Sequence, residues 1–354
     1  MTAARRAPLP ALVLAGLAAL APAAAAQDGE AGGRQDRSQG SGPPLVFAWP
    51  VPSRVRVTDT QTKDERTSVT RYVVELTPAP AGDGVAMRCV DFEILAYTGL
   101  DLADPVAKQK AASVAAMSEA VPTLIIDPAG RARGVLEDDH AIDAVLAHAK
   151  ELGVSGEELT RVERMLRAPP VVATMRQKAF DSWMLWVGAW VGLHLAPGES
   201  LHTELEVPMP DGAIAKAPTI VRHLGLKPAK AAGLPPQLAH LNADSVLEGD
   251  DVRRALGRVV ADLLTQSPPP QGLPPDPDMI ESFRRTSRLS VLTDPATLRP
   301  QEASLETTQA IALKGLGSRT TLERHEYTFE WVTGDAPSEG TGPSAPGEGG
   351  EPPR

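Results

Sequence analysis

Cysteine, aromatic residues and clustered basic residues are all scarce in this sequence of 354 residues. Its one cysteine is Cys89, so no internal disulfide can form and stability has to come from a packed core. Lysine and arginine total 35 against 45 aspartates and glutamates, and the basic residues form no run. A surface of this kind repels nucleic acid and anionic head groups, so we expect neither as a partner.

Motifs of the common enzyme and nucleotide-binding classes are missing too. The sequence contains no Gly-x-Ser-x-Gly elbow and neither of the two common glycine-rich phosphate loops. Strand alternation places Cys89 on one face with Asp91 and Glu93, whose carboxylates would raise the pKa of its thiol. These features favour a non-enzymatic protein without a cofactor.

The seven histidines offer one local candidate for a metal site. His194, Glu199 and His202 lie on both sides of a Pro-Gly turn. They lack the His-Glu-x-x-His pattern, in which two ligands one helical turn apart hold the same ion. We therefore expect no metal at these residues.

The first 26 residues have the three parts of a secretory signal peptide. Arg5 and Arg6 are followed by an apolar run over 9–20, which is shorter than the roughly 20 residues that a bilayer span needs. The small residues 24–26 then provide a cleavage site ending at Ala26. We expect a periplasmic or secreted protein without a transmembrane segment. Loss of the two arginines leaves 33 basic and 45 acidic residues, a net charge of −12.

Composition divides the remaining chain into a folded part between two polar ends. Residues 27–43 and 334–354 are rich in Gly, Ser, Pro and acidic side chains, and we expect a disordered linker and a disordered tail there. Residues 44–333 carry the apolar patterns of a folded α+β region. This region is either a single domain or two lobes divided near residue 168.

Alternating patterns place strands toward both ends of the folded region and helices in its middle. Pro105 starts one helix, a capping box at 155–158 starts another, and Pro169 starts a third that runs toward Leu195. A further helix starts at Asp250 or Asp251. The strands are expected at 54–57, 72–77, 90–96, 201–207, 214–224, 288–292, 303–313 and 325–331, with a hairpin around 123–130.

This order of elements predicts an α+β fold, in which a curved antiparallel sheet from the N- and C-terminal strand clusters is covered by the central helices. In outline the arrangement resembles the LolA-like periplasmic lipoprotein carriers, half-barrels whose sheet and helices enclose an apolar cavity. The resemblance implies an apolar ligand such as a lipid. It rests on the strand clusters and on no diagnostic motif, so it transfers no functional residue to this sequence.

Three of the five tryptophans lie close together at Trp183, Trp186 and Trp190. Their spacing places the rings on one face of a helix that is apolar on its other faces as well. The segment is either buried in the core or in contact with an apolar ligand or partner. The full set of residues that we expect to form this apolar surface is Trp183, Trp186, Trp190, Phe92, Tyr327, Phe329 and Trp331.

The sequence therefore predicts a non-enzymatic exported protein that binds an apolar small molecule, a lipid or an envelope protein. Two other classes remain open. One is a structural envelope factor without a small ligand, which requires a closed core. The other is a hydrolase or other enzyme, which requires polar residues from distant parts of the chain to converge in a cleft.

Overall fold

The computed structural model describes residues 40–80, 82–118, 121–136, 138–151, 153–167, 169–209, 213–230, 234–266, 276, 278–315 and 317–331. The predicted signal peptide, most of the predicted linker and the whole predicted tail lie outside the described residues. Those predictions therefore stay predictions.

The described residues form eleven strands, five α-helices and one π-helical turn. Gly153 follows the helix Asp138–Glu151 and has φ of 86°, the left-handed conformation that often ends a helix. None of the helices in the described ranges is both long and apolar enough to cross a bilayer. The strands are β1 Ser53–Lys63, β2 Arg66–Pro78, β3 Val85–Tyr97, β4 Thr123–Ile126, β5 Ala132–Leu136, β6 Ser200–Pro208, β7 Ile214–Pro228, β8 Gln237–Glu248, β9 Ile280–Thr293, β10 Pro300–Leu313 and β11 Gly317–Trp331. The helices are α1 Pro105–Ser118, α2 Asp138–Glu151, α3 Gly156–Leu166, α4 Pro169–Trp183 and α5 Asp250–Gln266, and the π-turn is Met184–Gly188.

All eleven strands belong to one curved, open antiparallel sheet in the order β5-β4-β3-β2-β1-β11-β10-β9-β8-β7-β6. The strands from the two ends of the folded region meet in the middle, where Val57 of β1 lies opposite Phe329 of β11. The predicted α+β class and antiparallel sheet are confirmed. The sheet continues without a break on both sides of residue 168.

One face of the sheet, here called the inner face, carries two closed apolar clusters. The first packs around the π-turn and includes Val57, Val74 and Phe329, each at most 2% exposed. The second packs under α5 and includes Phe283 of β9 and Ile311 of β10. Both clusters exclude water from most of their side chains, and this burial is the main source of stability in a chain without disulfides.

The structure corrects the predicted face of Cys89. Its partner on β2 is Val74, which is fully buried, so the thiol lies on the inner face and not with Asp91 and Glu93. Asp91 has φ of 57° and forms a β-bulge, in which an extra residue shifts the alternation by one position. Burial, and not neighbouring charge, raises the pKa of the Cys89 thiol to about 12.

Two elements differ from the sequence prediction. Strand β8 lay in a stretch for which no element was predicted. The helix expected to run from Pro169 toward Leu195 ends at Trp183 and continues as the π-turn. The N–H of Ala189 donates to the carbonyl of Met184 across this turn at 3.0 Å, the five-residue spacing of a π-bulge.

Candidate functional site

The three tryptophans around the π-turn are all fully buried. The indole N–H of Trp183 donates to the carbonyl of Gly130 at 2.9 Å, and that of Trp190 donates to the carbonyl of Leu185 at 3.1 Å. Gly130 has φ of 89°, and a Cβ there would lie 2.4 Å from the side chain of Phe47. The turn between β4 and β5 thus needs glycine in order to present this carbonyl.

Trp186 differs from Trp183 and Trp190 in the hydrogen bonding of its indole N–H. Its indole N–H is buried, and the described residues provide no hydrogen-bond partner for it. Its ring lies edge-on against Tyr327 at 5.7 Å and against Phe329 at 5.3 Å. A buried donor without a partner costs about 1–3 kcal/mol, so its persistence calls for a specific reason.

The remaining residues of the predicted apolar surface join the same cluster. Tyr327 and Phe329 are buried, whereas Phe92 and Trp331 are half-buried at its margin. The ring of Phe92 stacks on Tyr72 at 4.8 Å, and Trp331 contacts Trp49 edge-on at 4.9 Å. The structure thus brings all seven predicted residues into one cluster, and their contact with a ligand stays a prediction.

A second region of the inner face, between the two apolar clusters, is less tightly closed. Here two neighbouring rows of side chains cross the sheet and together form what we call the central strip. The hydroxyl row passes through strands β6 to β10 as Thr203, Thr219, Ser245, Ser287 and Thr307. The apolar row runs beside it as Leu201, Val221, Ala243, Leu289 and Leu305.

Most members of both rows are half-buried, although they lie on the face that elsewhere forms closed cores. Leu289 and Leu305 are partly buried and pack against the first cluster. The hydroxyl of Thr219 donates to the carbonyl of Ala217 at 2.9 Å, and the hydroxyl oxygens of Ser287 and Thr307 lie 3.5 Å apart. A hydroxyl oxygen can accept a further hydrogen bond from solvent or a polar ligand. The central strip is therefore a surface with one apolar side and one polar side.

Both rows continue into charged residues on β11. The apolar row continues from Leu305 to His325, and the hydroxyl row from Thr307 to Glu323. His325 lies between two carboxylates, with its Nδ1 3.2 Å from Asp59 and its Nε2 3.4 Å from Glu323. Burial lowers the pKa of His325, but the hydrogen bonds to both carboxylates outweigh burial and raise it to about 9. The imidazole is therefore a cation at neutral pH.

Glu323 is held by three donors. Besides His325, the side-chain amide of Gln61 donates to it at 2.7 Å, and the ammonium of Lys63 lies 3.1 Å from its carboxylate. The hydrogen bond from His325 contributes most to lowering the pKa of Glu323 to about 2, followed by Lys63 and Gln61 against the opposing effect of burial. This carboxylate stays ionised throughout the physiological range.

Asp181, near the end of α4, and Arg285, on β9, also influence each other electrostatically. Burial raises the pKa of Asp181 to about 7, against the opposing effects of the Gln177 amide, which donates to it at 2.7 Å, and of the Arg285 guanidinium. Arg285, on β9, is only 7% exposed, and burial lowers its pKa although Asp181 and Glu323 favour its charged form. Tyr327 is close enough to Asp181 and Glu323 for both carboxylates to raise its pKa, after the larger effect of burial.

We call these six ionisable side chains the inner charged cluster; they come from α4, β1, β9 and β11. The cluster combines the side chains of Lys63, Arg285 and protonated His325 with the carboxyl groups of Asp59, Glu323 and Asp181, and the pKa of Asp181 is about 7. Such a cluster can hold a polar or anionic group in a fixed position while the apolar row contacts its hydrocarbon part. Its members are Asp59, Lys63, Asp181, Arg285, Glu323 and His325.

The sequence analysis did not identify this cluster. One available signal was the alternation of side chains along β11. Glu323 and His325 occupy every second position before Tyr327 and Phe329, so all four side chains are expected on the inner face. Arg285 was missed because strand β9 was predicted to begin at residue 288 and in fact begins at Ile280. No sequence signal connects Asp181 on α4 with Arg285, because their electrostatic interaction depends on how the helix packs in the folded chain.

Two of the three residues weighed as a zinc site, His194 and Glu199, are engaged in other contacts, and His202 is exposed. The Glu199 carboxylate accepts hydrogen bonds from the backbone N–H groups of Ala196 at 2.7 Å and of Ser41 at 3.1 Å. The Nδ1 of His194 lies 3.2 Å from the carbonyl of Gly42. These contacts attach the segment around residues 40–45 to the turn after the tryptophans. Within the described ranges no group of three or more His, Cys, Asp or Glu is placed to hold a metal ion.

Comparison with protein-family models and with curated proteins gives no match. Among solved structures, the chain is similar to one of lipovitellin, described as "Lipid-protein interactions in lipovitellin". The sequences are 8% identical, the TM-score is 0.37, and the match covers 81% of this chain and 26% of the lipovitellin chain. The chain thus spans only a minor part of the length of lipovitellin, and at this level of similarity the comparison assigns it neither a family nor a ligand.

Proposed function

We propose that this chain is an exported, non-enzymatic binding protein and that the central strip holds an amphipathic ligand. The observation that carries the proposal is the register of the two rows, which places half-buried leucines and half-buried hydroxyl groups side by side on the inner face. A ligand with an apolar body and a polar end matches both rows at once. Export is proposed from the basic, apolar and small-residue pattern of residues 1–26.

The closed tryptophan cluster sets the position of this ligand. Because Trp183, Trp186 and Trp190 are fully buried, a ligand that reached all three would have to open the core. The central strip needs no such opening, since Leu289 and Leu305 are already partly exposed on the inner face. The proposed ligand therefore lies along the apolar row, with the tryptophan cluster as the rigid floor beside it.

The proposal is tested by measuring binding of the neutral apolar probe N-phenyl-naphthylamine. Leu289→Gln and Leu305→Gln each remove a leucine from the apolar row, and we expect either change to weaken binding at least about tenfold, as expected for losing a buried leucine contact. Leu322→Gln is the matched control, because Leu322 is 47% exposed and lies on the opposite face of β11. No binding to the parent protein, or equal losses in all three variants, would refute the proposal.

A second candidate function rests on Asp181. A largely buried carboxyl with a pKa of about 7 that accepts a hydrogen bond from Gln177 is suited to general acid–base catalysis, the class that the sequence analysis left open. The parent protein and Asp181→Asn should then be compared on panels of ester, amide and glycoside substrates. Turnover that the parent performs and the variant loses, with binding retained, would favour an enzyme over a binding protein.

A further inference from the structure

We infer that the ligand of the central strip is a neutral lipid with a hydroxyl-bearing head group, such as a monoacylglycerol or a long-chain alcohol, and that this head group lies at the β11 end of the strip. The inference rests on the proposed function and adds the chemical class of the ligand. It starts from the two rows of the strip, whose side chains are uncharged from β6 to β10 and include charged groups on β11 and β1.

The two rows give the strip a direction. The apolar row crosses the five strands β6 to β10, and at about 4.8 Å between neighbouring strands it spans roughly 19 Å, which suits one extended hydrocarbon chain. On β11 and β1 the apolar row continues as His325 and Gln61, and the hydroxyl row continues as Glu323 and Lys63. A hydrocarbon chain on the apolar row therefore has its polar end beside these four residues.

The charged groups at this end of the strip are already paired with one another. The Lys63 ammonium lies 3.1 Å from the Glu323 carboxylate. The protonated imidazole of His325 lies 3.2 Å from the Asp59 carboxylate and 3.4 Å from that of Glu323. Two cations are thus balanced by two anions through direct contacts. Arg285 belongs to the row beyond the hydroxyl row, so the hydroxyl row separates it from the apolar row.

A charged head group would have to compete with these pairs. An anion would have to displace a carboxylate from Lys63 or His325, and a cation would have to displace one of these two side chains from its carboxylate. Either ion would also leave water for a half-buried surface, where the exposed fraction is 20% for the His325 side chain and 26% for that of Glu323. An ion that leaves water without a counter-charge loses more solvation than a neutral group does, so the paired charges favour a neutral head group.

A neutral head group with hydroxyls has hydrogen-bonding groups beside it at this end. Ser287 and Thr307 are the last two members of the hydroxyl row before Glu323, and a hydroxyl group can both donate and accept. The side-chain amide of Gln61 donates to Glu323 at 2.7 Å and also carries an oxygen that can accept a hydrogen bond. These groups can bind the hydroxyls of a glycerol or alcohol head group without a charge on the ligand.

The test measures how well three lipids with chains of equal length displace N-phenyl-naphthylamine from the purified protein at pH 7, below their micelle concentrations. They are 1-dodecanoylglycerol, which is neutral, dodecanesulfonate, which is an anion, and dodecyltrimethylammonium, which is a cation. We expect the neutral lipid to displace the probe at a concentration at least about tenfold lower than either ion, because only the ions lose solvation that no counter-charge replaces. Equal or tighter binding of either ion would overturn the inference.

Variants that unbalance the paired charges should shift this preference in opposite directions. Glu323→Gln removes a carboxylate and leaves a cation uncompensated, so the sulfonate should gain about tenfold in affinity relative to the glycerol lipid. Lys63→Gln removes a cation, so the trimethylammonium lipid should gain instead. The matched controls are Glu326→Gln and Arg324→Gln, because this exposed ion pair lies at the alternate, outward-facing positions of β11.

The variants decide the role of charge balance even if one of them is unstable. Should Glu323→Gln fail to fold, Lys63→Gln remains, since the Lys63 side chain is 39% exposed. Folded variants that gain no affinity for the matching ion would overturn the inference. An equal gain in a control variant would show a general effect of net charge and would overturn it as well.

The outcomes also separate this inference from the proposed function. If N-phenyl-naphthylamine binds and a charged lipid displaces it as well as the neutral one does, the neutral class of ligand is wrong and the proposed function stays in place. Binding of 1-dodecanoylglycerol that Leu305→Gln does not weaken would place this lipid outside the strip and overturn the inference. Failure of the probe and of all three lipids to bind would overturn the proposed function itself, and the inference with it.

Discussion

Replacing each buried tryptophan by phenylalanine tests how the polar atoms of the aromatic cluster contribute to stability. Trp183, Trp186 and Trp190 are equally buried, so each change removes a similar apolar volume. Their indole N–H groups differ, because those of Trp183 and Trp190 donate to backbone carbonyls and that of Trp186 finds no acceptor among the described residues. The three variants therefore share a packing loss and differ in a hydrogen bond.

The size of the difference follows from the cost of an unpaired buried group. Trp183→Phe leaves the carbonyl of Gly130 without this donor, which costs about 1–3 kcal/mol beyond the packing loss. Trp186→Phe removes a donor that is itself unpaired and so avoids that cost. We expect the free energy of unfolding to fall further in Trp183→Phe than in Trp186→Phe, by about 2 kcal/mol.

The assay is urea denaturation at pH 7, followed by circular dichroism so that the lost tryptophan does not change the signal. Trp190→Phe should lie near Trp183→Phe, since its N–H donates at 3.1 Å. An equal or larger loss in Trp186→Phe would show that this indole N–H has a partner in the folded protein. Full truncation to Ala should cost about 3–5 kcal/mol at any of the three positions.

Four further outcomes can be measured directly. The pKa of His325 is raised from 6.5 to about 9, so protonated His325 contributes up to about 3 kcal/mol to the free energy of unfolding. This contribution is complete below pH 6.5 and is lost as the pH rises through 9. In urea denaturation, His325→Gln should therefore be costly at pH 6 and nearly neutral at pH 10. Asp181 has the opposite effect: its pKa is raised from 3.8 to about 7, so ionisation destabilises the fold as the pH rises through this range, and Asp181→Asn should be more stable than the parent at pH 8. Cys89→Ser should cost about 1–2 kcal/mol, because it places a hydroxyl on the inner face, and the native thiol should react slowly with a thiol reagent at pH 8. If the chain is exported as proposed, intact mass of the exported protein should correspond to a start at or near Gln27, and retention of residues 1–26 would contradict this.

The alternation of apolar and polar residues was enough to predict most of the sheet, because half-buried antiparallel strands show this pattern directly. Strand β8 was missed since its inner positions include Ala239, Ala243 and Ser245, which give little hydrophobic contrast with their polar neighbours. The bulge at Asp91 could not be predicted from alternation, because an inserted residue in the left-handed conformation interrupts the pattern that the prediction assumes.

The candidate site was harder to predict than the fold. The sequence analysis assigned Trp186, Tyr327 and Phe329 to one apolar surface, and their rings lie against one another, whereas contact of this surface with a ligand stays a prediction. Charged residues on an inner face contradict the rule that such positions are apolar, so Glu323 and Arg285 were not assigned to it. Two partners of Glu323, Gln61 and Lys63, are 262 and 260 residues away from it in the sequence, and local patterns do not contain such contacts.

The pairing of β1 with β11 has a consequence for how the chain folds. Asp59 and His325 interact across this pair although they are 266 residues apart in the sequence. The meander β9-β10-β11 and the hairpin β1-β2 can each form from neighbouring segments, but the sheet becomes continuous only when these two parts find each other. Contacts of such high sequence separation are slow to form, because the entropy of closing the long loop is lost before any pairing compensates for it. Joining these two strands is therefore the step that we expect to limit folding, and until it occurs both halves of the sheet expose an unpaired strand edge to the surroundings.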